Sequence, residues 1–292
     1  MAGLERLSEL CYCIPGPTKI GLVELGGGEV CLIDSSNDKS AGRAVRRILD
    51  EQGWQLRAIY NTHSHADHIG GNKYLQTHTG CRIYAPAREC PFVQHPFLEP
   101  AFLYGGFPPQ ELQNKFLMAQ ESEVEPLVPE ALPPGFELIP LPGHSFDMVG
   151  LRTPDDVVFV ADSIIGRSTL EKYRICFTCD VAAHMRTLEM LAALPAKLFV
   201  PAHAEITRDI APEAHYNLEQ MQSIARTICS LCREPLTGEE LLRRLFNTLE
   251  LTLSIEQYAL VGSTLRSYLT FLKQSGQLCY TIADNRLLWQ SC

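Results

Sequence analysis

The sequence predicts a layered α/β domain followed by a smaller helical module, α/β (α+β) in class, on three observations. Apolar runs of strand length alternate with helical patterns as far as about residue 215, as stacked sheets and helices require. From residue 212 the pattern changes to long helices closed by a hairpin. Of 292 residues, 46% are apolar and 20% charged, enough apolar surface for a core and too much for a disordered chain.

The elements follow in order. KIGLVEL (19–25) and EVCLIDSS (29–36) read as two strands joined at Gly26-Gly27-Gly28. SAGRAVRRILDEQG (40–53) is a helix, with Ala44, Val45, Ile48 and Leu49 at helical spacing and Gly53 as its stop. LRAIYNTH (56–63) is a strand running into a His-rich loop, NKYLQTHTG (72–80) a short helix and CRIYAP (81–86) a further strand. FELIPLPG (136–143), GLRTP (150–154), DVVFVADS (156–163) and KLFVPAH (197–203) continue the strands, interrupted by the helix VAAHMRTLEMLAALP (181–195). Residues 88–134 break the rhythm: they are rich in Pro and aromatics and show little periodicity. A loop that long inside a compact domain is functional or mobile. Phe97, Phe102, Tyr104, Phe107 and Phe116 either line an apolar pocket or pin the segment to the core or to a partner subunit.

The domain reading is therefore 1–211, with 88–134 as an insertion, and 212–292 as a helical, winged-helix-like module: helices over 211–233, 237–250 and 258–276, then a hairpin around Ala283-Asp284-Asn285. Residues 211–292 hold seven Lys+Arg against eight Asp+Glu, so the module lacks the basic footprint of a nucleic-acid reader. The whole chain agrees, with a formal net charge of -9. No run of about 18 apolar residues suits a membrane span. Glu5, Arg6 and Glu9 interrupt the N-terminal stretch where a secretory leader needs continuous apolar residues, so a cytoplasmic location is expected. Eleven cysteines cannot all pair within the chain, and reduced thiols are expected. Cys176/Cys179 and Cys229/Cys232 are too far apart in sequence for a zinc ribbon, and packing is the favoured role.

The chemistry concentrates in Thr62-His63-Ser64-His65-Ala66-Asp67-His68. Three imidazoles and a carboxylate in six residues form a ligand set for Zn²⁺ or another divalent metal. His63 and His65, two apart, project to one side of an extended segment. Gly70-Gly71 are expected to let the backbone turn sharply beside the metal. His144 in Leu141-Pro142-Gly143-His144-Ser145, Asp162 at the end of VVFVADS and His203 after FVPAH lie just past apolar strands, where sheet loops converge. Five His and two Asp exceed the roughly four ligands of one zinc and suit two metals about 3.5–4 Å apart.

In these motifs the sequence resembles the metallo-β-lactamase-fold hydrolases. THSHADH matches their HxHxDH signature, PGHS the third His, ADS the bridging Asp and PAH the last His, over roughly residues 15–210. The resemblance implies a four-layer αββα sandwich with the site at one edge of two packed sheets. It implies that His63, His65 and His144 hold one metal, that Asp67, His68 and His203 hold the other, and that Asp162 bridges them. It is nearest the glyoxalase II branch. The oxygen-reducing diiron members carry Glu where this chain has His65, which favours hydrolysis. The basic C-terminal residues that hold glutathione carboxylates in that branch have no located counterpart, which widens the expected substrate to a small ester, thioester or lactone.

The expected cofactors are two divalent metal ions, Zn²⁺ first and Fe or Mn²⁺ as alternatives. Water between them would be acidified and attack a carbonyl, with Asp67 orienting it. Tyr104, Phe107, Tyr173 and Arg174 are the candidate substrate contacts, while His184, in mid-helix, reads as structural. The expected partner is a small molecule, with a homodimer compatible with the aromatic insertion. The alternative function is a metal-dependent ribonuclease whose C-terminal module contacts RNA.

Overall fold

Alternation along the strands decides the layering. The computed structural model describes residues 3–292. The first sheet comprises β1 (Glu5–Arg6), β2 (Cys11–Ile14), β3 (Ile20–Gly26), β4 (Glu29–Ile33), β5 (Gln55–Tyr60), β6 (Arg82–Ala85) and β7 (Glu125–Pro126), adjacent in sequence order. It is antiparallel from β1 to β4 and parallel from β4 to β7. The second comprises β8 (Glu137–Pro140), β9 (Val149–Arg152), β10 (Val157–Ile165) and β11 (Leu198–His203), with β10 and β11 parallel. Successive residues of β4 point to opposite faces. Val30 and Leu32 enter an outer cluster with Val45, Ile48 and Leu49, while Cys31 and Ile33 enter an inner one with Phe159 and Val200 of the second sheet.

The helices complete the sandwich. The outer face of the first sheet is covered by α1 (Lys39–Gln52), and α2 (Ala66–Ile69) and α3 (Asn72–Thr79) add to the same apolar cluster through Ile69 and Leu75. Asp38 caps α1 by accepting from the Ser40 and Ala41 amides, and Gly53 ends it at φ 68°. Beyond β6 come α4 (Cys90–Gln94) and α5 (Leu98–Tyr104), then, past β10, α6 (Arg167–Tyr173) and α7 (Val181–Ala193). Leu188 and Leu191 of α7 pack on the outer face of the second sheet with Val158 and Val160. The layers are therefore helix, sheet, sheet, helix, as expected.

Residues 88–134 are more ordered than their pattern suggests. They hold α4, α5, two 3₁₀ turns and the edge strand β7. Helices of five and seven residues are too short to display a period.

The C-terminal part contains α8 (Ala211–Leu231), α9 (Gly238–Thr248), α10 (Ile255–Gln274) and the hairpin of β12 (Leu278–Ala283) and β13 (Arg286–Ser291). Asp284 and Asn285 both adopt left-handed φ, 49° and 56°, as a two-residue hairpin turn requires. The expected boundary at 211–212 coincides with the start of α8, yet α8 belongs to both sides of it. Ala214, Leu218 and Met221 join the cluster on the second sheet, while Ile224, Ala225, Ile228 and Cys232 join the C-terminal cluster of Leu241, Leu245, Leu265 and Leu269. Among the described residues no helix is long and apolar enough to cross a membrane.

All eleven cysteines are free, and six are buried: Cys11, Cys13, Cys31, Cys81, Cys90 and Cys232. Burial pushes the Cys11 thiol up to about 12 and Cys232 up to about 11, which suppresses the reactive thiolate. A thiol reagent applied to the native protein should label Cys292 first and reach those six only on unfolding. Leu32, fully buried in β4, should on change to Ala cost about 2–5 kcal/mol, read as a lower denaturant midpoint.

Candidate metal centre

The carboxyl ends of the parallel strands converge on one edge of the sandwich. Asp34 directly follows β4, and the segment from Asn61 to His65 joins β5 to α2. His144 lies in the turn after β8, Asp162 within β10, and His203 ends β11. This brings together all seven residues expected from the sequence. They form three overlapping groups: His63, His65 and His144; His63, His68 and Asp162; and Asp67, His68 and His203. Within each, the potential ligand atoms lie within 4.8 Å of one another.

The outward nitrogens of four of the five imidazoles are hydrogen-bonded, which fixes the orientation of those rings. His144 Nδ1 donates to Phe177 O (3.1 Å) and His203 Nδ1 to Pro17 O (2.8 Å). His68 Nδ1 donates to Asp34 Oδ2 (2.7 Å). Thr62 Oγ1 gives its only proton to Asp34 Oδ2 (2.8 Å), so it accepts from His63 Nδ1 (3.0 Å). Each of these four rings turns Nε2 inward. His65 presents Nδ1 instead, 3.0 Å from both His63 Nε2 and His144 Nε2. Three ring nitrogens facing one another so closely, two of them left as lone pairs by these hydrogen bonds, form a cation cradle.

The carboxylates face both sides of the cradle. Asp162 Oδ1 lies 3.0 Å from His68 Nε2, and its Oδ2 lies 3.4 Å from His144 Nε2 and 3.3 Å from His203 Nε2. Asp67 Oδ2 lies 3.1 Å from His203 Nε2 and accepts from Thr18 Oγ1 at 2.8 Å. His68 Nε2 and Asp162 Oδ1 are close but not aligned for a hydrogen bond, so both are buried without a partner. Such atoms are costly unless something else binds them, and a divalent cation fits this donor set.

Charge divides the rings into two classes. Burial holds His144 down at about 3 and His63 well below the usual range, so both stay neutral. Burial also opposes charge on His68 and His203, but the surrounding carboxylates win. Asp162, Asp34 and Asp67 hold His68 well above the usual range, and Asp162 and Asp67 raise His203 to about 10. The same pairs overcome burial to keep the Asp162 and Asp67 carboxyls below the ordinary range.

Glycine serves the site differently from the sequence expectation. Gly70 and Gly71 do not make a sharp turn: their φ values, −62° and −84°, suit any residue. They permit close approach instead, since a Cβ would meet Asn37 C at 2.2 Å from Gly70 and Ser35 O at 2.4 Å from Gly71. Gly143 needs both freedoms. Its φ is +128°, and a Cβ would lie 2.3 Å from His184 N, so α7 presses directly on the turn that carries His144.

Several residues at the centre carry no local sequence signal. Asp34 accepts from His68 and from the amide and hydroxyl of Thr62. Phe177 packs edge-on to His65 and His144, with centroids 5.3 and 5.8 Å away. Glu99 of α5, whose carboxyl burial pushes up, approaches His65 Nε2 at 3.6 Å. His184 is buried behind His144 and bonds Ser163 O, in keeping with its structural reading. Tyr104, Phe107, Tyr173 and Arg174 are surface residues. The insertion's aromatics form no single pocket: Phe102 packs with Phe92 and Phe146, Phe97 with Phe107, and Phe116 is exposed.

Residues 13–203 match the family described as the metallo-beta-lactamase superfamily. A hydroxyacylglutathione hydrolase of Methylococcus capsulatus is 26% identical over 239 residues, 76% of this chain and 80% of that protein. A metallo-beta-lactamase family protein of Thermus thermophilus superposes with a TM-score of 0.76 at 19% identity, covering 98% of this chain and 100% of its own. A beta-lactamase domain protein of Burkholderia ambifaria gives 0.74 at 16%, covering 99% and 94%. Both structural matches extend through the C-terminal helices.

Stripped of metal with a chelator, the protein should carry protons on His68 and His203 at pH 7, and an incoming cation must displace them. Apparent metal affinity should therefore rise with pH towards about 10, where His203 loses its proton. Calorimetry in buffers of different ionisation enthalpy should register proton release at pH 7, and binding without proton exchange would contradict the charge assignment. His203 has its pKa raised on folding, so its stabilisation of the stripped protein is complete below about 6.5 and lost as pH rises through about 10. Gly143→Ala should displace His144 and lower metal content, measurable by elemental mass spectrometry.

Proposed function

The chain belongs to the metallo-beta-lactamase superfamily, and from that premise we propose that it hydrolyses a small ester, thioester or lactone at a centre of two divalent cations. The observation that carries this reading is Asp162, which lies between the two groups, its Oδ2 beside His144 and His203 and its Oδ1 beside His68, where it would serve a cation in each. Closed structural zinc sites take about four ligands, and seven converging side chains exceed that need. When bound, two such cations polarise a carbonyl and acidify water.

The chain's own residues supply the rest. His63, His65 and His144 form one half of the ligand set, Asp67, His68 and His203 the other. Asp67, whose Oδ2 accepts from Thr18, orients the attacking water in this reading. Phe177 excludes bulk water on the side of His65 and His144. Tyr104, Phe107, Tyr173 and Arg174 supply the outer substrate contacts in this reading. Thioesters lead the candidate substrates because the relative from Methylococcus capsulatus is named for one.

Elemental analysis of wild type and Asp162→Ala tests the centre. Close to two metals per chain are expected in wild type, with a fall in the variant. Iron in wild type would reopen redox chemistry. His65→Ala should lose metal and hydrolysis together, by more than the roughly 100-fold that loss of an outer partner costs. Full hydrolysis by that variant without metal would refute the mechanism. Ester, thioester and lactone panels should run beside an RNA substrate, each with and without chelator; chelator-sensitive RNA cleavage without ester or thioester hydrolysis would transfer the function to the ribonuclease alternative.

A further inference from the structure

The insertion carries a buried carboxylate at its start that the reading above does not use. Glu89 is 1% exposed and precedes α4. Its Oε2 accepts from the Ser64 amide (3.2 Å) and the Ser64 hydroxyl (2.5 Å). Its Oε1 accepts from the Ser145 hydroxyl (2.7 Å) and the Asp147 amide (3.0 Å). Ser64 sits between His63 and His65, and Ser145 directly follows His144. These two stretches are 79 residues apart at His65 and His144, and their ring nitrogens meet at 3.0 Å.

We propose that Glu89 is a positioning residue for the first metal site, its carboxylate setting the spacing between the segment that carries His63 and His65 and the turn that carries His144. The reasoning is geometric. Each carboxylate oxygen receives one backbone N–H, from Ser64 on one side and Asp147 on the other. The serine hydroxyls can rotate to accept instead of donate, but the amides cannot. A glutamine of the same shape must therefore set its NH₂ against one of the two N–H groups, whichever way it is turned. One loop is then released, and the three nitrogens of the cradle lose their common centre. Partners outside the ligand shell typically matter about 10–100-fold in metal affinity. The insertion is on this account part of the metal site, whatever it also does for the substrate.

The inference rests on the two-cation reading, and the test separates the two. Zn²⁺ affinity is measured by chelator competition on wild type, Glu89→Gln and, as a surface control within the insertion, Glu111→Gln. Co²⁺-loaded proteins are compared by visible absorption, and folding by circular dichroism. Glu89→Gln is expected to weaken one of two sites about 10–100-fold. Its metal content under competition should fall from two towards one, and the Co²⁺ bands should shift. The control should match wild type. A folded Glu89→Gln protein with both affinities within about threefold of wild type and an unchanged Co²⁺ spectrum would overturn the proposal, even if its melting temperature fell, because a purely structural role moves only the latter. Should that variant not fold, Glu89→Asp keeps both acceptor oxygens on an arm one methylene shorter, which cannot hold the Ser64 and Asp147 amides at their present spacing, and it carries the same test. Weakening of the same site in it supports the proposal, and unchanged affinity overturns it. Wild-type protein that takes up no metal would overturn the two-cation reading and this inference together.

Discussion

A single buried carboxylate, Asp34, anchors the metal centre. It follows β4 with a left-handed φ of 62°, a conformation few side chains adopt without compensation. The compensation is local: its oxygens accept from the Thr62 amide, the Thr62 hydroxyl and His68 Nδ1. The first of these bonds ties β4 to the segment leaving β5. The second orients a hydroxyl that in turn fixes His63, and the third fixes His68. One acid thus determines which nitrogen two different imidazoles turn inward. A ligand cluster of this density would otherwise sample several tautomers and ring flips.

What the sequence revealed depended on how local the physics was. The seven clustered side chains were legible because His63, His65, Asp67 and His68 share one short segment and because His144, Asp162 and His203 each lie beside an apolar run. Most sandwich strands were legible from their apolar runs, though the short β1, β2 and β7 were not, α1 from its spacing and Gly53, and the C-terminal hairpin from Ala283-Asp284-Asn285. The four layers came from the family resemblance, and the packing bears them out. Asp34, Glu89 and Glu99 had no local signature, because each acts on a group tens of residues away. Asp34 could have been noticed only as an acid closing a buried strand, the same signal that marks Asp162. The roles of Gly70 and Gly71 were misread because a sequence shows which residue lacks a side chain but not what approaches it. The order in 88–134 was missed because α4 and α5 are shorter than the pattern that would reveal them.

The C-terminal helices reach the centre through backbone groups. Thr264 of α10 is fully buried and accepts from the Thr178 amide at 3.2 Å. Ser267, one turn on, donates to Cys179 O at 2.7 Å. Between them they hold the segment whose Phe177 carbonyl accepts from His144. The Arg266 guanidinium reaches Leu103 O on α5, and Leu103 packs against Ala259 beside Phe177. The module therefore braces both the turn behind a metal-facing imidazole and the insertion beside it.

Helix α8 constrains how such a chain can be rearranged by recombination. Its first half is a piece of the sandwich's outer layer and its second half a piece of the C-terminal core. A crossover placed at residue 211 would strip the second sheet of Ala214, Leu218 and Met221 and expose the apolar surface they cover. A crossover after Met221 would keep that layer whole and exchange only what lies beyond it. Lineages that swap C-terminal modules on this scaffold should accordingly retain the first three turns of α8 as the seam.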